Sequence, residues 1–350
     1  MKYSNVYIDA IGYEIAPVVV SSLELERRLK DLYSALHLGE GQLEALTGIT
    51  ERRWWEEGYR ISDGAIAAGR RALAASSVEP DQLDVLIYGG VCREYFEPAT
   101  ACRVASVIGV SPEAAVYDVS NACLGVLNGV VDIANRIEMG QIRAGMVVAC
   151  ETAREINEIV IEQLLAQRNM DFFKLSLATL TGGSGAVAIV LTDGSFSPEK
   201  GHRLLGGVTR NAAAFHGLCR WGIEKTGPGG RHQYQQFTST DASAVLTHGI
   251  ELGVQTWHAF LDRMGWTGGQ VDKVICHQVG AAHRDTILKA LEIPVSKDFA
   301  TYPFLGNTGT VALPLTAALA SDREFLQPGD RVGFLGIGSG LNCLMLGLEW

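Results

Sequence analysis

Three stretches from the first half of this 350-residue chain return, in the same order, in its second half. Residues 81–91 (DQLDVLIYGGV) resemble residues 269–279 (GQVDKVICHQV), each a short polar lead into an apolar strand. Residues 113–134 (EAAVYDVSNACLGVLNGVVDIA) are echoed by 297–320 (KDFATYPFLGNTGTVALPLTAALA), each a strand, a tight loop and an apolar helix. Residues 139–153 (MGQIRAGMVVACETA) are echoed by 327–340 (QPGDRVGFLGIGSG), each a polar turn and a strand that ends in a loop. Recurrence in a fixed order marks a duplicated unit. Short Val- and Ile-rich runs alternating with longer helical segments make that unit α/β, with largely buried strands.

Two copies of such a unit pack about a pseudo-twofold axis, which brings equivalent loops together. Cys123, His277 and Asn307 all lie on such loops. The expected division is an N-terminal half, 1–195, and a C-terminal half, 196–350. Between Glu151 and Thr181 the helical stretch REINEIVIEQLLAQRNMDFFKL has no counterpart in the second half. It is expected to be an inserted cap, about 151–181, whose Ile, Leu and Phe positions face a substrate channel or a dimer partner. Residues 220–239, rich in Gly, Gln and Thr, suggest a loop across the top of the second half.

Hydrophobic residues make up 47% of the chain, enough for a large core or two fused ones. A formal net charge of -10 leaves no basic field to attract nucleic acid or an anionic membrane, and neither partner is expected. No run approaches the ~20 apolar residues of a membrane span, and the N-terminus lacks a basic segment followed by a continuous apolar one, so the expected compartment is the cytoplasm. The seven cysteines show no CxxC or Cys/His ligand spacing, which suggests neither a metal site nor a disulfide framework.

Cys123 ends the strand-like VYDVSNA and opens the apolar CLGVLNGVVDIANRI, placing its sulfur at a helix N-terminus, where free N–H groups and the helix dipole favour thiolate. An inert core cysteine is the competing reading. His277 follows the apolar DKVIC; a strand's alternation turns the adjacent Cys276 to the opposite face and removes it as a rival nucleophile. The remaining histidines are assigned surface or packing roles. Asn307 sits in the Gly-flanked turn FLGNTGTVALP, where turn conformation alone would account for it. The glycine loop GIGSG, 336–340, lacks the helix-opening context of a dinucleotide site.

Taken together, DVSNACLG, HQVGAAH, GNTGTVALP and GIGSGLN, in this order and widely spaced, resemble the ketoacyl-ACP synthase III branch of the thiolase superfamily. The likeness runs from LTGITERRWW to the C-terminus. It implies a duplicated thiolase fold with a layered αβαβα architecture, and a homodimer. By the same resemblance Cys123 is the acylated nucleophile, while His277 and Asn307 polarise a second thioester and stabilise its enolate. Backbone N–H groups of Cys123 and of the loop at Gly338 and Ser339 surround the oxyanion of acyl transfer. Fixed donors of that kind stabilise a developing charge by about 3–4 kcal/mol each.

In REYFEPATA, Glu97 stands before a proline, where fatty-acid-initiating synthases of this branch usually carry an apolar residue reaching into the neighbouring subunit. That pattern is similar to the group that begins bacterial long-chain olefin synthesis, and implies that Glu97 from the partner subunit removes an α-proton from the second acyl-CoA. In an apolar tunnel its carboxyl would become a stronger base. A solvated surface carboxylate is the plain alternative. Arg52, Arg53 and Trp54 stand where relatives bind the nucleotide end of coenzyme A; Arg suits phosphate and Trp suits adenine.

The expected activity is a Claisen condensation of two acyl thioesters, as acyl-CoA or acyl-ACP, to a β-keto acid or β-keto thioester, with no metal or redox cofactor. Alternatives are a decarboxylative synthase using malonyl-ACP, a pyrone-forming ketosynthase, and a silent scaffold partner of an active homologue.

Overall fold

The computed structural model describes residues 1–197, 201–226 and 233–350. Nine strands form the main sheet: β1 (Tyr7–Ile15), β2 (Val85–Tyr88), β3 (Ala115–Asp118), β4 (Ala144–Glu151), β5 (Gly185–Thr192), β6 (His202–Asn211), β7 (Lys273–Cys276), β8 (Arg331–Gly338) and β9 (Asn342–Glu349). Across the sheet they run β7-β8-β9-β6-β1-β5-β4-β2-β3.

Each side of the sheet repeats one pairing scheme. In the first half β4 lies parallel to β2 and antiparallel to β5, which is antiparallel to β1. In the second, β8 lies parallel to β7 and antiparallel to β9, which is antiparallel to β6. Where β3 pairs in parallel with β2, the second half keeps a single parallel bridge between Val274 and Asp298. The sides meet at β1 and β6 through two residue pairs, Tyr7 with Arg203 and Ile8 with His202.

Alternate strand residues face different cores, as a two-residue period requires. Val85, Ile87, Val147 and Ile189 from one side, with Ile275, Phe334, Leu344 and Leu346 from the other, enclose the helices Gly125–Glu138 and Ala312–Asp322 in one central core. The opposite residues Leu86, Tyr88, Met146 and Val148 pack on the outer helices Ile61–Ala74 and Thr100–Ile108. On the far side Val274, Cys276, Leu335 and Met345 pack on Ala242–Met264 and Ala281–Ala290. The stack is helix, half-sheet, helix pair, half-sheet, helix: the αβαβα arrangement of a duplicated thiolase fold. No helix among the described residues is long and apolar enough to cross a membrane.

Two expectations are corrected. The cap forms two helices, Arg154–Gln167 and Met170–Leu180, but their buried Val160, Ile161, Leu164, Phe173 and Leu180 pack against Leu25, Leu29, Leu32, Leu43 and Trp54. These apolar positions cover the chain's own N-terminal segment, whose short helices bury too little by themselves, while Ile156 of the same cap lines an open cleft, in keeping with the expectation. The expected loop 220–239 is mainly an antiparallel hairpin of Cys219–Thr226 and Gln233–Thr240. The β-forming Trp221, Ile223, Phe237 and Thr238 decide this conformation; the glycines 227, 229 and 230 that suggested a loop lie outside the described residues.

Candidate active site

Cys123 stands at the mouth of the central helix pair, in a turn that follows β3. Ala122 immediately before it adopts φ +46°, a left-handed conformation that costs a non-glycine residue free energy and that the surroundings must hold. Asn121 provides part of that hold, donating from Nδ2 to Asn128 Oδ1 at 2.8 Å and accepting from Asn342 Nδ2 at 3.1 Å. The helix itself starts at Gly125, two residues beyond the cysteine. A Cβ on Gly125 would fall 2.0 Å from the carbonyl oxygen of Gly89, so only glycine lets this helix close onto the end of β2.

The helix end does not make thiolate the resting form. Burial of the sulfur, followed by the proximity of Cys219 and Glu151, pushes the Cys123 thiol up to about 12. Cys123 therefore carries its proton at neutral pH and must release it as it attacks.

The loop after β8 is seated directly on the cysteine. A Cβ on Gly338 would lie 3.3 Å from Cys123 N, and Asn342 Nδ2, which also reaches Asn121, contacts Ser339 O at 3.4 Å. The sequence-inferred oxyanion loop at Gly338 and Ser339 is thus next to the sulfur-bearing turn.

His277 follows β7, and its backbone N–H donates to Leu335 O at 3.0 Å on the adjacent β8, three residues before Gly338. Its side chain is buried, and burial, then the neighbouring His283, lowers its pKa to about 3. The imidazole is neutral, with one N–H to donate. Its Nδ1 has no hydrogen-bond partner among the described residues. Cys276 packs into the outer core, away from His277, as alternation requires.

Asn307 is fixed by its backbone and by one side-chain atom. Its N–H donates to Thr181 O and its carbonyl accepts from Gly183 N–H, both at 2.9 Å. Its Oδ1 accepts from Gly309 N–H at 3.0 Å. With the oxygen occupied by its own turn, the Nδ2 donors are the part of the amide left for a ligand. The same turn reaches the cysteine helix, because Thr310 Oγ1 accepts from Val126 N–H at 2.9 Å.

Three residues of this region are given no functional role by the sequence, although two of them lie in HQVGAAH. Gln278 donates from Nε2 to Cys276 O at 2.8 Å and accepts at Oε1 from the N–H groups of Thr301 (2.9 Å) and Tyr302 (3.2 Å), tying the His277 strand end to the segment that leads to Asn307. His283, given a surface or packing role from sequence, is lowered to about 4 by burial, and its Nδ1 is likewise unpartnered among the described residues. Glu151, the last residue of β4, is a buried carboxylate whose surroundings border the Asn307 turn.

Glu97 is not brought to the cysteine within one chain. It is exposed, on a loop where Tyr95 is 59% and Phe96 90% exposed. This loop borders an open cleft of about 940 Å³, also lined by Tyr59, Ile156, Trp221 and Ile223. The apolar tunnel expected around Glu97 is not formed by its own chain. Arg52 and Trp54 are also corrected: the strand Glu51–Trp54 turns both inward. Arg52 donates to Ser22 Oγ at 2.9 Å and Trp54 Nε1 to Gly182 O at 3.1 Å, while Arg53 pairs with Glu51 at 3.0 Å. These contacts use Arg52 and Trp54 to anchor the N-terminal segment and leave neither facing solvent for a nucleotide.

Residues 261–350 match the family described as 3-oxoacyl-[acyl-carrier-protein (ACP)] synthase III C terminal, and residues 49–175 match the thiolase N-terminal domain. Over the full length of both chains the protein is 56% identical to an acyl-CoA:acyl-CoA alkyltransferase of Shewanella oneidensis and 33% identical to one of Xanthomonas campestris pv. campestris. A crystal structure of cerulenin-bound Xanthomonas campestris OleA superposes with a TM-score of 0.92 at 33% identity, covering 100% of this chain and 98% of that one. Other OleA structures include a cysteine-to-serine variant with bound lauric acid and lauroyl-CoA, and variants at one glutamate and one histidine.

Fold and site define a condensing acyltransferase of the thiolase superfamily, in its synthase III branch. Within that branch, the chain belongs to the acyl-CoA:acyl-CoA alkyltransferase family.

Proposed function

We propose that the protein condenses two acyl-CoA molecules without decarboxylation, as a homodimer, at the start of a long-chain olefin pathway. In the first half-reaction the Cys123 sulfur bonds to the thioester carbonyl carbon, the bond from that carbon to the coenzyme A sulfur breaks, and the departing sulfur takes up a proton. Backbone N–H groups at Cys123 and around Gly338 and Ser339 hold the oxyanion. In the second, Glu97 of the opposite subunit takes an α-proton from another acyl-CoA, and the electron pair moves onto its carbonyl oxygen. Neutral His277 and the Asn307 amide donate to that enolate oxygen. The enolate carbon then bonds to the acyl carbonyl carbon, the carbon–sulfur bond to Cys123 breaks, and the thiol regains a proton. The product is a β-keto acyl-CoA, which water can hydrolyse to the β-keto acid. The scheme uses no metal or redox cofactor, and it treats residues 1–195 and 196–350 as the two halves that frame the site.

The observation that carries this reading over a malonyl-dependent one is the position of Glu97. It precedes Cys123 by the same interval that separates the glutamate and the cysteine varied in the Xanthomonas OleA structures. It also sits beside the 90%-exposed Phe96, on a loop free to reach a second chain. The test is product analysis by mass spectrometry with a long-chain acyl-CoA alone and with acyl-CoA plus a malonyl thioester. Condensed product from acyl-CoA alone supports the proposal. Product only in the presence of the malonyl thioester assigns the chain to the decarboxylative synthases.

A further inference from the structure

Glu151, 4% exposed, ends β4, and its carboxylate stands between two parts of the catalytic apparatus. One oxygen accepts from Val91 N–H at 2.8 Å, the other from Cys92 N–H at 3.1 Å; both residues belong to the loop that carries Glu97. On its other side lies the Asn307 turn. A Cβ on Gly309 would be 3.4 Å from Glu151 Cγ and 3.5 Å from Cδ, so that turn packs flush against the carboxylate. Gly309 is the residue whose N–H orients Asn307 Oδ1, and Thr310 beside it receives Val126 N–H from the cysteine helix.

A carboxylate is suited to this place because it offers only acceptors, and the adjacent N–H groups of Val91 and Cys92 each take one of its oxygens while the Asn307 turn packs on its other side. Burial raises its pKa, while the Cys92 thiol and then the backbone N–H groups act against the rise by favouring the charged form. An amide of the same shape would keep one acceptor and turn an NH2 group toward a backbone N–H, breaking the register on one side.

We propose that Glu151 is a positioning residue that locks the Glu97 loop and the Asn307 turn to one another, acting on the condensation step through those two groups. This rests on the roles given above to Glu97 and Asn307. Glu151 touches neither substrate in this account. Its effect belongs to the second half-reaction, because acylation depends on Cys123 and the Gly338 loop, whose turn is held by Asn121, Asn128 and Asn342, whereas the Asn307 turn meets the cysteine helix at Val126, beyond the cysteine.

The experiment compares the full-length parent with Glu151→Gln, Glu151→Asp and Gly309→Ala. Single-turnover acylation of Cys123 is followed by intact mass, and condensation is measured with plain acyl-CoA and with a malonyl thioester. Glu151→Gln should acylate within about threefold of the parent, while kcat for condensation falls by about tenfold to a hundredfold in both reactions, the scale of a displaced catalytic group, with KM little changed. Glu151→Asp, which keeps the charge, should recover part of that loss. Should Glu151→Gln fail to fold, Gly309→Ala, whose added Cβ would only touch Glu151 but whose φ of +60° strains the turn held against it, should also slow condensation more than acylation. Equal loss of both half-reactions, or unchanged condensation in the folded variants, overturns the proposal. A parallel Glu97→Gln enzyme that condenses plain acyl-CoA normally would remove Glu97 as base, yet the malonyl-driven arm would still report on Asn307 and so on Glu151.

Discussion

The alpha carbon of Gly338 stands so close to Cys123 that a methyl group there would lie 3.3 Å from the cysteine's backbone nitrogen and 3.6 Å from its Cβ. That contact makes the last loop of the second half a wall of the first half's nucleophile. Gly338→Ala should therefore slow Cys123 acylation by about tenfold or more, since a small displacement of an oxyanion donor is costly. Stopped reactions analysed by intact mass check this, and acylation at the parental rate would separate the loop from the first half-reaction.

Gly125→Ala should be a stability variant. Its new Cβ would meet Gly89 O at 2.0 Å, a backbone contact that no rotamer relieves. Overpacking of this kind costs about 1–3 kcal/mol or more, whereas Gly39→Ala, with nothing within 4 Å, should stay within about 0.5 kcal/mol of the parent. Urea unfolding midpoints of the two variants give the comparison.

Because burial holds the Cys123 thiol at about 12, alkylation at this residue should rise roughly tenfold per pH unit from pH 7 to pH 10. Peptide mapping separates it from the exposed Cys102. A plateau near neutral pH would mean that a thiolate is already present.

Acid should weaken the fold through its buried histidines. His277 is lowered to about 3, and His283 and His202 to about 4, all by burial and all below the value near 6.5 of an unfolded chain. As pH falls below about 6.5 the unfolded state binds these protons first, so the stability present above that pH is lost progressively as pH drops through the folded-state values. The melting temperature should decline from pH 7 to pH 5. His202→Gln, stacked on Trp350 at 3.7 Å and outside the site, should flatten that decline without altering acylation.

The duplication was legible because strands and tight loops leave patterned sequence, and the shared pairing of β2, β4 and β5 with β7, β8 and β9 follows it closely. The orientation of Cys276 away from His277 was legible for the same reason. Arg52 and Trp54 misled because an Arg-Arg-Trp run suggests a surface clamp; only the hydroxyl of Ser22, thirty residues earlier, reveals that Arg52 has an interior partner. The roles of Glu151 and Gln278 were not legible because they act on backbone N–H and C=O groups, which every sequence supplies alike.

The most direct test of the central claim mixes two inactive homodimers. Glu97→Gln chains should form the Cys123 acyl-enzyme and fail to condense plain acyl-CoA, and Cys123→Ala chains should fail at acylation. Subunit exchange should create heterodimers in which one site joins an intact Cys123 to Glu97 from the opposite chain, and condensation of plain acyl-CoA should return. No recovery despite confirmed exchange, or a Glu97→Gln enzyme that condenses acyl-CoA at the parental rate, would contradict the account.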